Sequence, residues 1–138
     1  MLRRLVPPLL IFAALTVSSA GGAAAVSPTF RMEIVHAVQG CHVWKTPKTR
    51  GPSQKIVLKR GTRLSIRVSC PMAFDFSQVA GPKLALGVRR SEPGTVRTIV
   101  FKKTGVYKLI AKNVQSSEEQ GLQTLGPDNL LKLTIVVR

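Results

Sequence analysis

The chain has 138 residues, of which 21 are Lys or Arg and only 6 are Asp or Glu, giving a formal net charge of +15 at pH 7. A chain of this length can bury the core of one domain. Few carboxylates are present, and no spacing matches an acid/base pair, a nucleophile with its base, a phosphate loop or a zinc site, so the sequence argues against an enzyme.

The N-terminal segment is typical of a secretory signal peptide. Arg3 and Arg4 form a short positive region, and residues 5–17 form an uncharged apolar run. The small residues after this run offer cleavage after Ala20 or after Ala25. A membrane anchor is the alternative, but a spanning helix needs about 20 apolar residues and this run is shorter.

We therefore expect three regions along the chain. Residues 1–25 are the signal peptide, residues 26–29 a flexible lead-in, and residues 30–138 a single exported domain, periplasmic or extracellular. No second long apolar run follows, so we expect no membrane span after cleavage.

The excess of basic residues indicates an affinity for anions. An anionic polymer of the cell envelope or an acidic protein is the expected partner, unless the charge serves only solubility. Sequence-specific nucleic acid binding is disfavoured, because the aromatic residues needed for base stacking are scarce: one Trp, one Tyr and five Phe.

The domain begins with short strands separated by turns. Residues 31–38 form the first predicted strand, and Val43 and Trp44 continue or bend it. Residues 45–52 form a loop with two prolines, and residues 55–58 form a short strand.

Residues 63–69 show the clearest strand pattern. Apolar and polar residues alternate, which predicts one face toward a core and the other toward water. The apolar face carries Leu64, Ile66 and Val68, and the polar face carries Arg63, Ser65 and Arg67.

Further strands are predicted in the second half of the chain. Residues 72–79 form one strand, and residues 81–94 form a connection that is irregular or briefly helical around 83–88. Residues 95–101 and 106–112 are predicted to pair as a hairpin through the turn at 102–105.

The chain closes with a loop over residues 113–128 and a strand over residues 129–138. Seven or eight short strands with turns between them predict an all-β sandwich or barrel.

Three segments carry a resemblance to a known family. The first is Gly40-Cys41-His42-Val43-Trp44, and the second is IVLKRGTRLSIRV at 56–68. The third is the C-terminal part of the chain, with VFKKTGVY at 100–107 and TLGPDNLLKLT at 124–134. Together they resemble small exported cupredoxin-like proteins of bacteria. The resemblance implies a Greek-key β-sandwich and raises the question of a copper site.

A type-1 copper site needs two His, one Cys and a weak axial Met. The resemblance places Phe74 at the position of the first His and Ala111 at that of the Cys. Residues 113–122, where the second His and the Met belong, contain no His, Cys or Met. The resemblance therefore implies a domain that has lost the usual ligands and has no resident cofactor.

Four residues remain as candidate metal ligands: Cys41, His42, His36 and Met72. Thiolate, imidazole and thioether together suit Cu(I). The alternative is structural, with His36 a satisfied strand histidine and Met72 a core filler. Cys41 and His42 are sequence neighbours and point to opposite faces of a strand unless the chain bends at Gly40.

Two cysteines remain in the processed chain, Cys41 and Cys70. Outside the cytoplasm a Cys41–Cys70 disulfide is the expected state. Two separate buried thiols, or Cys41 as a metal ligand, are the alternatives.

The candidates for anion binding are Arg63, Arg67, Lys102 and Lys103. A wider set of basic residues, which also contains Arg97, includes several that we expect on the outward faces of strands.

The sequence thus predicts an exported cupredoxin-like domain without a type-1 copper site. Its expected function is that of a non-catalytic binding or structural module of the cell envelope. The alternative is an extracytoplasmic copper-binding or copper-handling protein that uses Cys41 and His42.

Overall fold

The computed structural model describes residues 22, 26–37, 42–114 and 130–138. Over these ranges the chain forms strands and turns and no helix. The strands are β1 (Thr29–His36), β2 (His42–Lys45), β3 (Arg50–Gly51), β4 (Ser53–Leu58), β5 (Arg63–Val68), β6 (Ala73–Ala80), β7 (Arg90–Ser91), β8 (Val96–Val100), β9 (Gly105–Val114) and β10 (Leu130–Val137). The predicted signal peptide lies outside the described residues except for Gly22.

The strands form two five-stranded sheets. Sheet A has the order β3-β2-β1-β5-β8, and sheet B has the order β4-β10-β9-β6-β7. Both sheets are mixed, because β1 runs parallel to β5 and β10 runs parallel to β4. The predicted all-β sandwich is confirmed. The described part has ten strands rather than seven or eight, because it includes the two-residue strands β3 and β7.

The core lies between the sheets and follows the alternation read from the sequence. In β5 the side chains of Leu64, Ile66 and Val68 are buried while Arg63 and Arg67 are exposed. A hydrogen bond also joins the layers, since Nε1 of buried Trp44 donates to the carbonyl oxygen of Lys132 at 3.1 Å. Inward-facing apolar residues therefore fix the register of each strand.

The hairpin predicted between residues 95–101 and 106–112 is wrong. β8 pairs with β5 in sheet A, whereas β9 pairs with β10 and β6 in sheet B, so residues 102–104 cross between the layers. Phe101 and Tyr107 flank the crossing and are buried in edge-to-face contact, with ring centroids 5.0 Å apart. Burying both rings between facing sheets favours the crossing over a hairpin.

The sandwich has two ends, which we call upper and lower. At the upper end β1 and β9 finish and β2 and β6 begin. At the lower end β4 and β10 finish and β5 and β9 begin. The irregular segment 81–89 contains no helix, so the brief helix considered at 83–88 is wrong.

Candidate metal centre

Three of the four candidate ligands meet at the upper end. His36, the last residue of β1, pairs in register with His42, the first residue of β2. Their ring centroids are 5.1 Å apart. Met72 precedes β6 in the facing sheet. The pairing of β1 with β2 and the stacking of the two sheets bring these residues together, although His36 and Met72 are more than thirty residues apart in the sequence.

The imidazole of His42 is held from two sides. It is fully buried and contacts the ring of Phe74 edge-to-face, with centroids 5.4 Å apart. The amide nitrogen Nδ2 of Asn113 lies 3.2 Å from Nδ1 of His42 and donates to it when that nitrogen is unprotonated. The ring therefore has a defined position and orientation.

The thioether of Met72 faces the same amide. Nδ2 of Asn113 lies 3.3 Å from Sδ of Met72, whose side chain is buried. A nitrogen and a sulfur, each with a lone pair, thus lie within hydrogen-bond distance of one atom. Such convergence of donor atoms is what a metal site requires.

The two cysteines are described unequally. Cys70 is buried, and its Sγ lies 3.9 Å from the backbone carbonyl oxygen of Met72. Cys41 lies outside the described residues. The Cys41–Cys70 disulfide and the ligand role of Cys41 therefore stay predictions.

Asn113 was not among the residues expected at the site. It lies within β9 and pairs in register with Phe74 of β6. No local signal marks it, because its importance depends on the strand pairing that places its amide beside His42 and Met72.

The positions that the resemblance assigns to copper ligands hold Phe74 and Ala111. Both are fully buried, and a phenyl ring and a methyl group offer no lone pair to a metal. The residues therefore do not fit a type-1 copper site. In the part of the chain that the structure describes, no group of three or more His, Cys, Asp or Glu side chains could hold a metal ion.

The four anion-binding candidates are all exposed. Arg63 and Arg67 are exposed on the outer face of sheet A, and Lys102 and Lys103 are exposed where the chain crosses between sheets. The structure does not bring these two pairs into one pocket.

Arg97, one of the basic residues considered for an anion-binding face, is not on an outward face. Arg97 points into the sandwich, and its guanidinium carbon lies 4.6 Å from the ring centroid of Phe76. Its nitrogens donate to Ser91 Oγ at 3.1 Å and to the carbonyl oxygens of Leu86 and Val88. Burial lowers the pKa of this guanidinium from its ordinary value.

The described residues form no helix that is long and apolar enough to cross a membrane.

No protein-family model and no curated protein matches the sequence. Among solved structures, a reduced mutant of amicyanin shares 15% identity over 85% of this chain and 87% of its own, with a TM-score of 0.44. A purple cupredoxin from Nitrosopumilus maritimus shares 16% identity over 77% of this chain and 98% of its own, with a TM-score of 0.45.

A multicopper oxidase shares 14% identity over 79% of this chain and 41% of its own, with a TM-score of 0.47. This chain thus spans less than half the length of that oxidase. At these identities each likeness concerns the fold alone.

Proposed function

We propose that the protein is an exported, non-catalytic binding module whose ligand is monovalent copper, held by His42 and Met72 at the upper end. This proposal refines the alternative drawn from the sequence, in which Cys41 and His42 bind copper. It keeps the leading interpretation of a binding module without enzymatic activity.

One observation carries the proposal: Nδ1 of His42 and Sδ of Met72 lie 3.2 Å and 3.3 Å from the same atom, Nδ2 of Asn113. Imidazole is a general ligand for copper, and thioether selects Cu(I) over harder ions. Both side chains are buried, so the donors are already oriented before a metal arrives.

The amide of Asn113 stands where the two donors converge. In the metal-free protein it donates hydrogen bonds to both, which keeps the buried nitrogen and sulfur satisfied. Copper binding requires this amide to turn away. The binding free energy is therefore reduced by the cost of breaking these hydrogen bonds.

His36 offers a route to the site. Its side chain is exposed, and its ring lies 5.1 Å from the ring of His42. An exposed imidazole beside a buried one can capture the ion from solution and then serve as a third ligand.

The test is an anaerobic titration of the purified protein with Cu(I) against a competing chelator of known affinity. We expect one equivalent to bind. Met72→Leu should weaken binding by at least about tenfold. Removal of a side chain that only hydrogen-bonds to a metal ligand already costs about 10- to 100-fold in affinity, so removal of a ligand itself should cost no less. Met32→Leu is the matched control, because Met32 is also buried but lies in the middle of β1.

The proposal fails if the unaltered protein takes up no stoichiometric copper. It also fails if Met72→Leu and Met32→Leu bind copper as tightly as the parent. An intense blue colour with Cu(II) would show a type-1 site and contradict the placement of Phe74 and Ala111.

A further inference from the structure

Two turns meet at the lower end and are joined by backbone hydrogen bonds. The amide of Gly61 donates to the carbonyl oxygen of Phe101 at 2.7 Å, and the amide of Phe101 donates to that of Thr62 at 3.3 Å. The hydroxyl of Tyr107 donates to the carbonyl oxygen of Lys103 at 2.6 Å. The turns at 59–62 and 102–104 therefore form one ordered surface.

This surface is basic. Five exposed basic residues lie on the two turns or at the start of β5: Lys59, Arg60, Arg63, Lys102 and Lys103. They include three of the four anion-binding candidates.

The side-chain carboxylates of the described residues lie elsewhere. Glu33 pairs in register with Arg67, and Asp75 pairs with Lys112, so both lie in the upper half. Glu92 lies three residues before Thr95, whose carbonyl oxygen accepts a hydrogen bond from Val68 at the upper end of β5. Asp75 already contacts Arg89 and Arg90, at 3.7 Å and 3.3 Å. Positive charge at the lower end is thus not balanced by a neighbouring acidic side chain of the described residues.

Exposed valines border the same end. Val57 is 54% exposed and Val106 is 49% exposed, and both flank Val136 in one row across sheet B. On the other sheet Val100, 41% exposed, pairs in register with Arg63. We call these three exposed valines and the five basic residues the lower surface.

We propose that the lower surface docks the protein on a bilayer that contains anionic phospholipids. Lys and Arg side chains near such a bilayer are attracted to lipid phosphates, and apolar side chains between them enter the boundary between headgroups and acyl chains. A soluble anionic polymer would use the charges but would gain nothing from the valines. The combination therefore favours a lipid surface, and this inference does not depend on copper binding.

The test is co-sedimentation of the protein with vesicles. The parent and every variant have the same N-terminus, so they differ only in the substitutions. One vesicle set is phosphatidylcholine alone, and the other contains phosphatidylglycerol as well. We expect binding only to the second set. Replacement of Lys59, Arg60, Lys102 and Lys103 by Gln should weaken it by at least about a hundredfold, because each basic residue at an anionic surface contributes about fivefold.

The matched control removes the same charge from exposed positions elsewhere, as Lys48→Gln, Arg50→Gln, Arg67→Gln and Lys112→Gln. It should bind the vesicles within about tenfold of the parent, since long-range attraction falls off within a Debye length. A second variant, Val57→Ser with Val106→Ser, should also weaken binding. Thermal unfolding of each variant confirms that it is folded.

Three results would overturn the proposal. The first is no binding of the parent to vesicles with phosphatidylglycerol. The second is equal weakening by the two sets of Gln substitutions, which would assign the attraction to net charge alone. The third is unchanged vesicle binding of the valine variant, together with complete release of the parent protein from the vesicles by soluble polyphosphate. That result would indicate a site for a soluble polyanion.

Discussion

The side chain of Asn113 shows how a single residue can decide whether a cluster of ligands is available. Its amide nitrogen lies between Nδ1 of His42 and Sδ of Met72. A side chain in this position keeps the nitrogen and the sulfur satisfied, and in the proposed copper site it competes with the metal for the same two lone pairs.

Removing this competition should tighten copper binding. We expect Asn113→Ala to bind Cu(I) about tenfold more tightly than the parent. Two hydrogen bonds no longer have to be broken, and together they contribute about 1.4 kcal/mol net, because the thioether of Met72 is a weak acceptor. The measurement is the anaerobic competition titration. In a Met72→Leu background the gain should be smaller, because only the hydrogen bond to His42 is left to break. An equal gain there would contradict the shared position of the amide.

Arg97 shows the opposite case, a residue whose charge misleads. Its strand alternates Val96, Thr98 and Val100 on one face with Arg97 and Ile99 on the other. A charged residue favours the exposed face, yet the structure buries Arg97 because its guanidinium satisfies the carbonyl oxygens of segment 86–89. A charge with many hydrogen-bond acceptors can be buried where a charge without them cannot.

At the scale of elements, the close approach of β6 and β9 requires a glycine. Gly81 follows β6 with a φ of +101°. A Cβ there would lie 2.5 Å from the carbonyl oxygen of Val106 and 2.8 Å from Cα of Tyr107. Both contacts are with backbone atoms, which cannot move aside without disturbing β9.

Alanine substitutions at Gly81 and Gly94 distinguish the steric overlap at Gly81 from the strain of a left-handed backbone. Gly94 also has a positive φ, +79°, but a Cβ there has no atom within 4 Å. We expect Gly94→Ala to lower the free energy of unfolding by about 1 to 2 kcal/mol, from the left-handed backbone alone. Gly81→Ala should cost about 3 to 5 kcal/mol, because steric overlap adds to the strain. Urea unfolding measures both, and equal losses would contradict the close approach.

The strands themselves were largely predictable, but their partners were not. Alternation in residues 63–69 gave the right faces, because a strand with one buried face requires period two. The predicted hairpin around residues 102–105 failed, since the same turn can join neighbours in a sheet or cross between sheets. The contact of Phe101 with Tyr107 decides between them, and it exists only once both sheets are present.

At the scale of the whole molecule, the two proposed sites lie at opposite ends of the sandwich. His42 begins β2 at the upper end, and Lys59 and Lys102 lie on turns at the lower end. The core between them is shared, but no residue belongs to both sites.

This separation predicts that the two sites act independently. Replacing Lys59, Arg60, Lys102 and Lys103 by Gln should leave the Cu(I) affinity within about 0.5 kcal/mol of the parent value, and Met72→Leu should leave vesicle binding unchanged to the same degree, because distant substitutions without shared partners are additive. Each variant is measured in both assays. A loss in both assays from either change, with folding intact, would show that the sites are coupled.

The sequence by itself determined the fold class and the residue types available for chemistry. Alternating strands separated by turn residues predict an all-β sandwich or barrel, and the side chains of Phe74 and Ala111 cannot bind a metal whatever surrounds them. These conclusions follow from local periodicity and from the chemistry of single side chains.

Only the tertiary structure decided which residues meet. Register between β1 and β2 joins His36 to His42, and register between β6 and β9 sets Asn113 opposite Phe74, near Met72. Two turns about forty residues apart form one basic surface through the bond between Gly61 and Phe101. Such contacts depend on long-range strand pairing, and the burial of apolar side chains across the whole sandwich selects that pairing.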